Sequence, residues 1–450
     1  MHIPNLDADQ LIALLEAVFG RQPEERALTI FVDLPGPHQP DKPSWKDRRR
    51  IALEWFTHLQ QRISDLPFTA VNFCAYEDVG SNNSDLPETV ILIERTSRDQ
   101  PSLESQSVLL DHILAGSTIV LSMTEFSATA PLKVLARKHL FRGATLPGFV
   151  RQMIPALGLD YEKVNSRVEQ IQTRMNRAGS AVLLLRAEGE EFSCTLDLRY
   201  RTAHASGGVI RKPGEVANLP SGEAYIVPYE GERSGEPSRT AGRLPVQFGD
   251  EIVVFRVQGN RAVQVERSVP QAPRAEAPHG PLDQPLPHAP QAPRAEEPHV
   301  PHAPQASRAE EPHVPHAPQA SRAEKPPLPQ APRTEEQHAP QAEEQRKLLK
   351  AEPAYGNIAE LGIGVLGEWG VTAVGSTLLD EKLGLHIAFG RSEHFGGVTG
   401  PASFNSPKNV IHIDWVYVPG VQPLIQVRSL VFHYEDNQSE EIMSDTGIRV

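Results

Sequence analysis

The stretch Leu28-Thr29-Ile30-Phe31-Val32-Asp33-Leu34-Pro35-Gly36 decides the fold of the first half of the chain. A short, largely apolar run stops at a Pro-Gly turn signal, which is the pattern of a strand. Behind it, Ser44 is placed to cap a helix with the apolar stripe Ile51, Trp55, Leu59 and Ile63. Residues 71–76 and 90–93 read as strands, 108–114 as a helix stopped by Gly116, and 118–121 as another strand. Helices are expected over 130–139, 148–156 and 162–177. Upstream, Leu11, Ile12, Leu14, Leu15, Val18 and Phe19 form an amphipathic pattern behind Asp7 and Asp9, which reads as part of the folded protein and not as a signal peptide. Strand and helix alternating at this spacing predict a parallel sheet with helices on its faces, an α/β domain over residues 1–180.

After Ala181 the texture changes. Residues 181–185, 192–198, 224–227, 251–256, 385–389, 410–417 and 424–434 read as strands closely punctuated by Gly and Pro. This predicts a β-rich, largely antiparallel domain made of residues 181–268 and 346–450. Between its parts, residues 269–345 hold 19 of the 41 prolines and no aromatic residue. Pro290, Pro304 and Pro318 open repeats of 14 residues, beginning with PQAPRAEEPHVPHA. Such a segment cannot bury enough apolar surface to offset its ordering entropy, so a disordered insertion is expected, with seven histidines that belong to a solvated repeat.

That insertion carries −5 of the net charge of −13, leaving −8 on the rest. A mildly acidic balance argues against a binder of nucleic acid or an anionic membrane, whose affinity needs a basic face, and leaves room only for a local basic patch. No run approaches the length of a membrane span. Cys74 and Cys194 sit inside apolar or alternating runs and are too few for a disulfide framework or a thiolate zinc site. They read as structural thiols in a reducing cytoplasm.

The chemistry gathers outside the insertion. In His412-Ile413-Asp414, on a strand, an imidazole and a carboxylate point to one face. His386 lies in Leu385-His386-Ile387-Ala388-Phe389-Gly390, where a lone histidine is more often a satisfied core residue than a ligand. Glu360 in Asn357-Ile358-Ala359-Glu360-Leu361-Gly362-Ile363-Gly364 and Glu223 in Ser221-Gly222-Glu223-Ala224-Tyr225 are carboxylates set among apolar residues. Buried carboxylates are costly unless paired or bound to a cation. Together these are oxygen and nitrogen donors without thiolate, the chemistry of a zinc, cobalt, manganese or non-haem iron site.

Residues 202–228 (TAHASGGVIRKPGEVANLPSGEAYIVP), 357–364, 378–390 (LLDEKLGLHIAFG) and 394–397 (HFGG), followed by His412-Ile413-Asp414, resemble the thermophilic metallo-aminopeptidase family, the aminopeptidase T-like enzymes and their leucyl aminopeptidase relatives. Residues 126–138 and 141–153 look like the N-terminal α/β domain of its broader relatives. The resemblance implies Glu223, Glu360, His386, His412 and Asp414 as ligands of two divalent ions, zinc, cobalt or manganese, and the removal of N-terminal residues from a peptide substrate by metal-activated water. Where the family has a tyrosine seven residues after the first histidine, this chain has Glu393, then His394. Glu393 is the candidate base, with His394 beside it, and Glu381 is expected to be a salt-bridged surface residue. An ionised glutamate cannot donate a hydrogen bond, so slow turnover is expected.

Two alternatives stand beside this. Ring-cleaving 2,5-dihydroxypyridine dioxygenases look similar in overall sequence, and His386, His412 and Asp414 would supply a two-histidine, one-carboxylate iron triad. The other alternative is a relative recruited to a different task or to binding alone. Beyond the peptide substrate, a homodimer and docking of a partner's aromatic groove on the proline-rich segment are further options. The two-metal expectation requires five side chains spread over 191 positions to converge.

Overall fold

The computed structural model describes residues 3–22, 24–36, 39–95, 103–270 and 340–450. The opening run forms the strand Ala27–Leu34, which is buried along nearly its whole length. It lies inside a seven-stranded sheet whose spatial order is Val216–Asn218, Arg142–Thr145, Ser117–Met123, Ala27–Leu34, Ala70–Glu77, Thr89–Arg95 and Leu103–Leu109. The first five strands run parallel. The last two turn back antiparallel, which the expectation of an all-parallel sheet missed. The reason is connection length: only residues 78–88 join Ala70–Glu77 to Thr89–Arg95, and a parallel neighbour needs a crossover of a dozen or more residues.

Helices cover this sheet as the periodicity requires. Ala8–Phe19 carries a capping box between Asp7 and Gln10 and buries Leu11, Leu14, Leu15, Val18 and Phe19. Pro43–Gln61 buries Ile51, Trp55 and Leu59, although Lys42 precedes it and Pro43 takes the first helical position, so Ser44 is no cap. The helix expected over 148–156 is two short turns, Arg151–Met153 and Ile154–Leu157. The helix expected over 108–114 starts later, at Leu110, because residues up to Leu109 belong to the edge strand. Tyr161–Arg177 buries Tyr161, Val164, Val168, Ile171 and Met175, each burial contributing roughly 1.5–3 kcal/mol before entropy is counted. No described helix is long and apolar enough to cross a membrane.

The second half supplies two antiparallel sheets. One has eight strands, in the order Arg261–Pro270, Glu251–Gln258, Ala241–Phe248, Glu190–Asp197, Ala178–Ala187, Ile425–Tyr434, Ser439–Ser444 and Gly447–Ile448. The other has five: His412–Val416, Leu385–Gly390, Ile358–Gly364, Glu223–Ile226 and His204–Ser206. Between His204–Ser206 and Glu223–Ile226 the chain leaves to add Val216–Asn218 to the first sheet. Five residues later it delivers Glu223 to the five-stranded sheet. Cys74 and Cys194 are free and buried, and burial pushes both thiols up to about 12.

The expected disordered insertion lies outside the described residues except at its ends. There its bounds are corrected: Val269 and Pro270 finish a strand, and residues 340–345 open the helix Pro340–Ala351. Glu251 explains the helical start, because its carboxylate accepts from the backbone N–H groups of Gln341 and Ala342 at 3.0 Å each. The same Glu251 pairs with Pro270 across the sheet, so the two ends of the chain flanking the insertion meet there.

Candidate metal centre

The five-stranded sheet separates its two faces by simple alternation. Leu361, Ile363, Leu385, Ile387, Phe389, Ala224 and Ile226 fall on one face and enter the core. Their neighbours form the other face. Asp414 pairs with Ala388 and Ala388 with Glu360; Val416 pairs with His386, His386 with Gly362, Gly362 with Tyr225 and Tyr225 with His204. Paired residues share a face, so Glu223, Tyr225, Glu360, His386, His412 and Asp414 project to one side. The small residues between them are part of the design. A methyl group at position 362 would overlap the His386 imidazole, so only glycine there lets that ring lie across the sheet.

The side chains meet in two overlapping groups. Glu223, Glu360 and His386 each bring a ligand atom within 4.8 Å of the others, and so do Glu360, His412 and Asp414. Glu360 belongs to both. His386 Nε2 lies 3.1 Å from Glu360 Oε1 and 3.6 Å from Glu223 Oε2. His412 Nε2 lies 3.6 Å from Glu360 Oε2 and 3.4 Å from Asp414 Oδ1. Each imidazole is oriented from behind. His412 Nδ1 sits 2.8 Å from the Arg391 carbonyl, and His386 Nδ1 sits 3.4 Å from that of Gly384. A ring that donates from Nδ1 turns Nε2 inward, as a metal ligand must.

Two neighbours carry no ligand signal in the sequence. Lys382 is buried and pairs with both Glu223 and Glu381. Glu381 is not the surface residue expected from Leu379-Asp380-Glu381-Lys382: only 16% of its side chain is exposed. The turn carrying both is held by Asp380, which accepts from the backbone N–H groups of Val374 and Gly375.

The electrostatics follow from this crowding. Burial raises the Glu360 carboxyl, against the pull of His386 and His412. Burial also raises Glu381, to about 8, with Lys382 opposing and the Glu223 and Asp414 charges adding. Burial alone would depress His386, but the hydrogen bond to Glu360 and the charges of Glu223 and Glu360 lift it to about 9. His412 rises to about 10 because Asp414 and Glu360 outweigh its burial. For Asp414, burial is overcome by His412 and the carboxyl falls to about 2. Lys382 is raised above its ordinary value, since Glu223 and Glu381 overcome its burial.

The donor set fits divalent cations. Four carboxylates face one ammonium, so with all four ionised and the imidazoles neutral the cluster would carry three negative charges. The two imidazoles hold protons where a cation would supply the charge instead. Glu223 Oε2 is buried without a hydrogen-bond partner. An orphaned buried carboxylate oxygen is costly unless a cation takes it.

Glu393 and His394 lie at the rim and join neither group. Arg391 grips the Glu393 carboxylate at 2.5 and 2.7 Å and lowers its pKa, so Glu393 is a weak candidate for a base. The order of residues along the chain gives no hint of this, because Arg391 precedes Glu393 by two positions as in any ordinary polar turn. The His394 ring lies 5.3 Å from that of His412, edge to face, and burial with the His412 charge drops its pKa to about 4. The rim loop is fixed from below by Glu230, which accepts from Asn357, Ser392 and the Val398 backbone.

No protein-family model and no curated protein matches the chain. Among solved structures it is similar to the 2,5-dihydroxypyridine dioxygenase of Pseudomonas putida KT2440, at 11% identity and a TM-score of 0.52, over 99% of this chain and 98% of that one. It is also similar to wild-type AmpT of Thermus thermophilus, at 12% identity and a TM-score of 0.49, over 98% of each chain. At 11% identity the likeness to the dioxygenase speaks for a common fold and for nothing finer.

Proposed function

We propose that this chain is a divalent-metal hydrolase that removes the N-terminal residue from peptides. The observation that carries the reading is the pair of ligand groups sharing Glu360. A carboxylate common to two sets of donors is suited to bridge two ions, with Glu223 and His386 serving one and His412 and Asp414 the other. Such ions would polarise a carbonyl and bring the pKa of water toward neutrality. Glu381 is assigned as the proton carrier in place of Glu393. It stands beside Lys382 and Glu223, and burial raises its proton affinity above that of an ordinary carboxylate, so its ionised form can take a proton from water and return it to a leaving amine. Lys382 fixes the orientation of Glu223 and Glu381. The exopeptidase part of the reading rests on the resemblance of the motifs around Glu223, Glu360, His386 and His412.

The dioxygenase alternative needs His386, His412 and Asp414 around one iron. Those three do not form a group within 4.8 Å among the described residues; His386 groups with the two glutamates instead. Metal analysis of protein purified without chelators or a histidine tag separates the two readings. About two zinc, cobalt or manganese ions per chain support the hydrolase, and one iron supports the oxygenase. An amino-acid p-nitroanilide and a dihydroxypyridine are then offered to metal-loaded protein and to Asp414→Ala. Metal-dependent nitroaniline release that disappears in the variant supports the hydrolase; oxygen uptake with the pyridine and no release from the anilide overturns it.

A further inference from the structure

The site face is rich in acceptors and nearly all of its donors are committed. Lys382 is held by Glu223 and Glu381, and Arg391 by Glu393. The Nδ1 atoms of His386 and His412 face backbone carbonyls. Tyr225 is different. It stands two residues beyond Glu223 on the same strand and the same face, and opposite Gly362, whose other neighbour is His386. Because position 362 has no side chain, nothing on that strand separates the phenol from the ligand groups. Its ring is clamped by His204, stacked at 5.1 Å and 24°, and by the edge of Phe395 at 4.9 Å. His204 is anchored in turn, with Nε2 3.0 Å from the Phe395 carbonyl.

The clamp fixes the ring and leaves the hydroxyl idle: among the described residues, Tyr225 makes ring contacts but no hydrogen bond through its hydroxyl. Packing alone would be served as well by phenylalanine. The surrounding charges are those of Glu360 and Glu223, so the phenol lies in the field of both ligand groups. A protonated phenol beside a metal-ligand cluster is a neutral donor, positioned in advance and free of any partner it must first release.

We propose that Tyr225 is a catalytic residue, whose hydroxyl donates a hydrogen bond to the oxyanion formed when the scissile carbonyl is attacked. The inference rests on the hydrolase reading. As the oxygen of water adds to the carbonyl carbon, the C=O π pair moves onto the oxygen, and the Tyr225 O–H bonds to it. The proton lost by water passes to Glu381. On collapse the oxygen pair re-forms C=O, the C–N bond breaks with its pair on nitrogen, and that nitrogen takes the proton from Glu381. Tyr225 keeps its own proton throughout.

The test is Tyr225→Phe, which keeps the ring and its contacts. Metal content, melting temperature and KM for leucine p-nitroanilide should stay at wild-type values while kcat falls by about 10²–10³. Calorimetric titration with the phosphonate analogue of leucine, a tetrahedral anion, should show a matching loss of affinity, with the affinity for leucine itself unchanged. A kcat within about threefold of wild type overturns the proposal, as does a fall in metal content or melting temperature, which would make the hydroxyl structural. If wild-type protein hydrolyses no peptide substrate, the hydrolase reading falls separately, and the phosphonate titration decides: equal affinity for wild type and variant removes Tyr225 from any anion-binding role.

Discussion

Replacing Gly362 by alanine tests whether the sheet was cleared for His386. The added methyl would lie 2.7 Å from the ring's Cδ2 and closer still to Nε2 and Cε1. The ring is fully buried, so it cannot swing into solvent. Relief requires His386 to leave its place over strand Ile358–Gly364, which breaks its hydrogen bond to Glu360. Overpacking costs about 1–3 kcal/mol and losing a charged hydrogen bond about 1.5–3 kcal/mol, so a total of roughly 2.5–6 kcal/mol is expected. At about 2.1 cal/mol/K of unfolding entropy per residue, a unit of this size should then melt roughly 3–7 °C lower. Calorimetry of chelator-treated protein measures the packing cost, and elemental analysis after reloading measures the ligand lost with the displaced imidazole. Gly362→Ala protein that melts with the wild type and keeps its full complement of metal would refute the reasoning.

Other outcomes follow from the same geometry. Glu360→Gln should reduce bound metal far more than Asp414→Ala, because only Glu360 serves both groups; equal losses by elemental analysis would count against a shared carboxylate. Chelated protein should lose stability as pH rises. His386 and His412, raised to about 9 and about 10, bind protons in the fold that the unfolded chain releases above about 6.5, so their stabilising effect is complete below that pH and is lost through 9–10. The raised Glu381 carboxyl slopes the same way between its ordinary value and about 8. Melting temperatures in EDTA that stay level or climb from pH 6 to about 9.5 would contradict this. Joining residues 270 and 340 by a short glycine-serine linker should leave melting temperature and metal content essentially unchanged, since both ends already meet at Glu251; loss of cooperative unfolding would show otherwise.

Local periodicity and residue type settled much in advance. The period of two in Ile358–Gly364, Leu385–Gly390 and His412–Val416 declares which side chains share a face before any partner strand is known. The apolar stripes of Ala8–Phe19, Pro43–Gln61 and Tyr161–Arg177 announce helices because burial at i, i+3 and i+4 is a property of the chain alone. What the sequence could not settle depends on distances through space. Glu381 and Glu393 are both glutamates beside a basic residue, yet one is buried against Lys382 and Glu223 and the other is gripped by Arg391 at the rim. Their proton affinities shift in opposite directions, because desolvation and neighbouring charge are set by packing and not by sequence neighbours. Likewise Tyr225 reads as one more apolar strand residue, and only strand pairing sets it across the cleared Gly362 from His386. Strand order is a long-range matter: side chains spread over 191 positions gather around Glu360 when hydrogen-bond register, which no local pattern encodes, aligns Asp414, Ala388 and Glu360 in one row and brings Glu223 in from the other neighbouring strand.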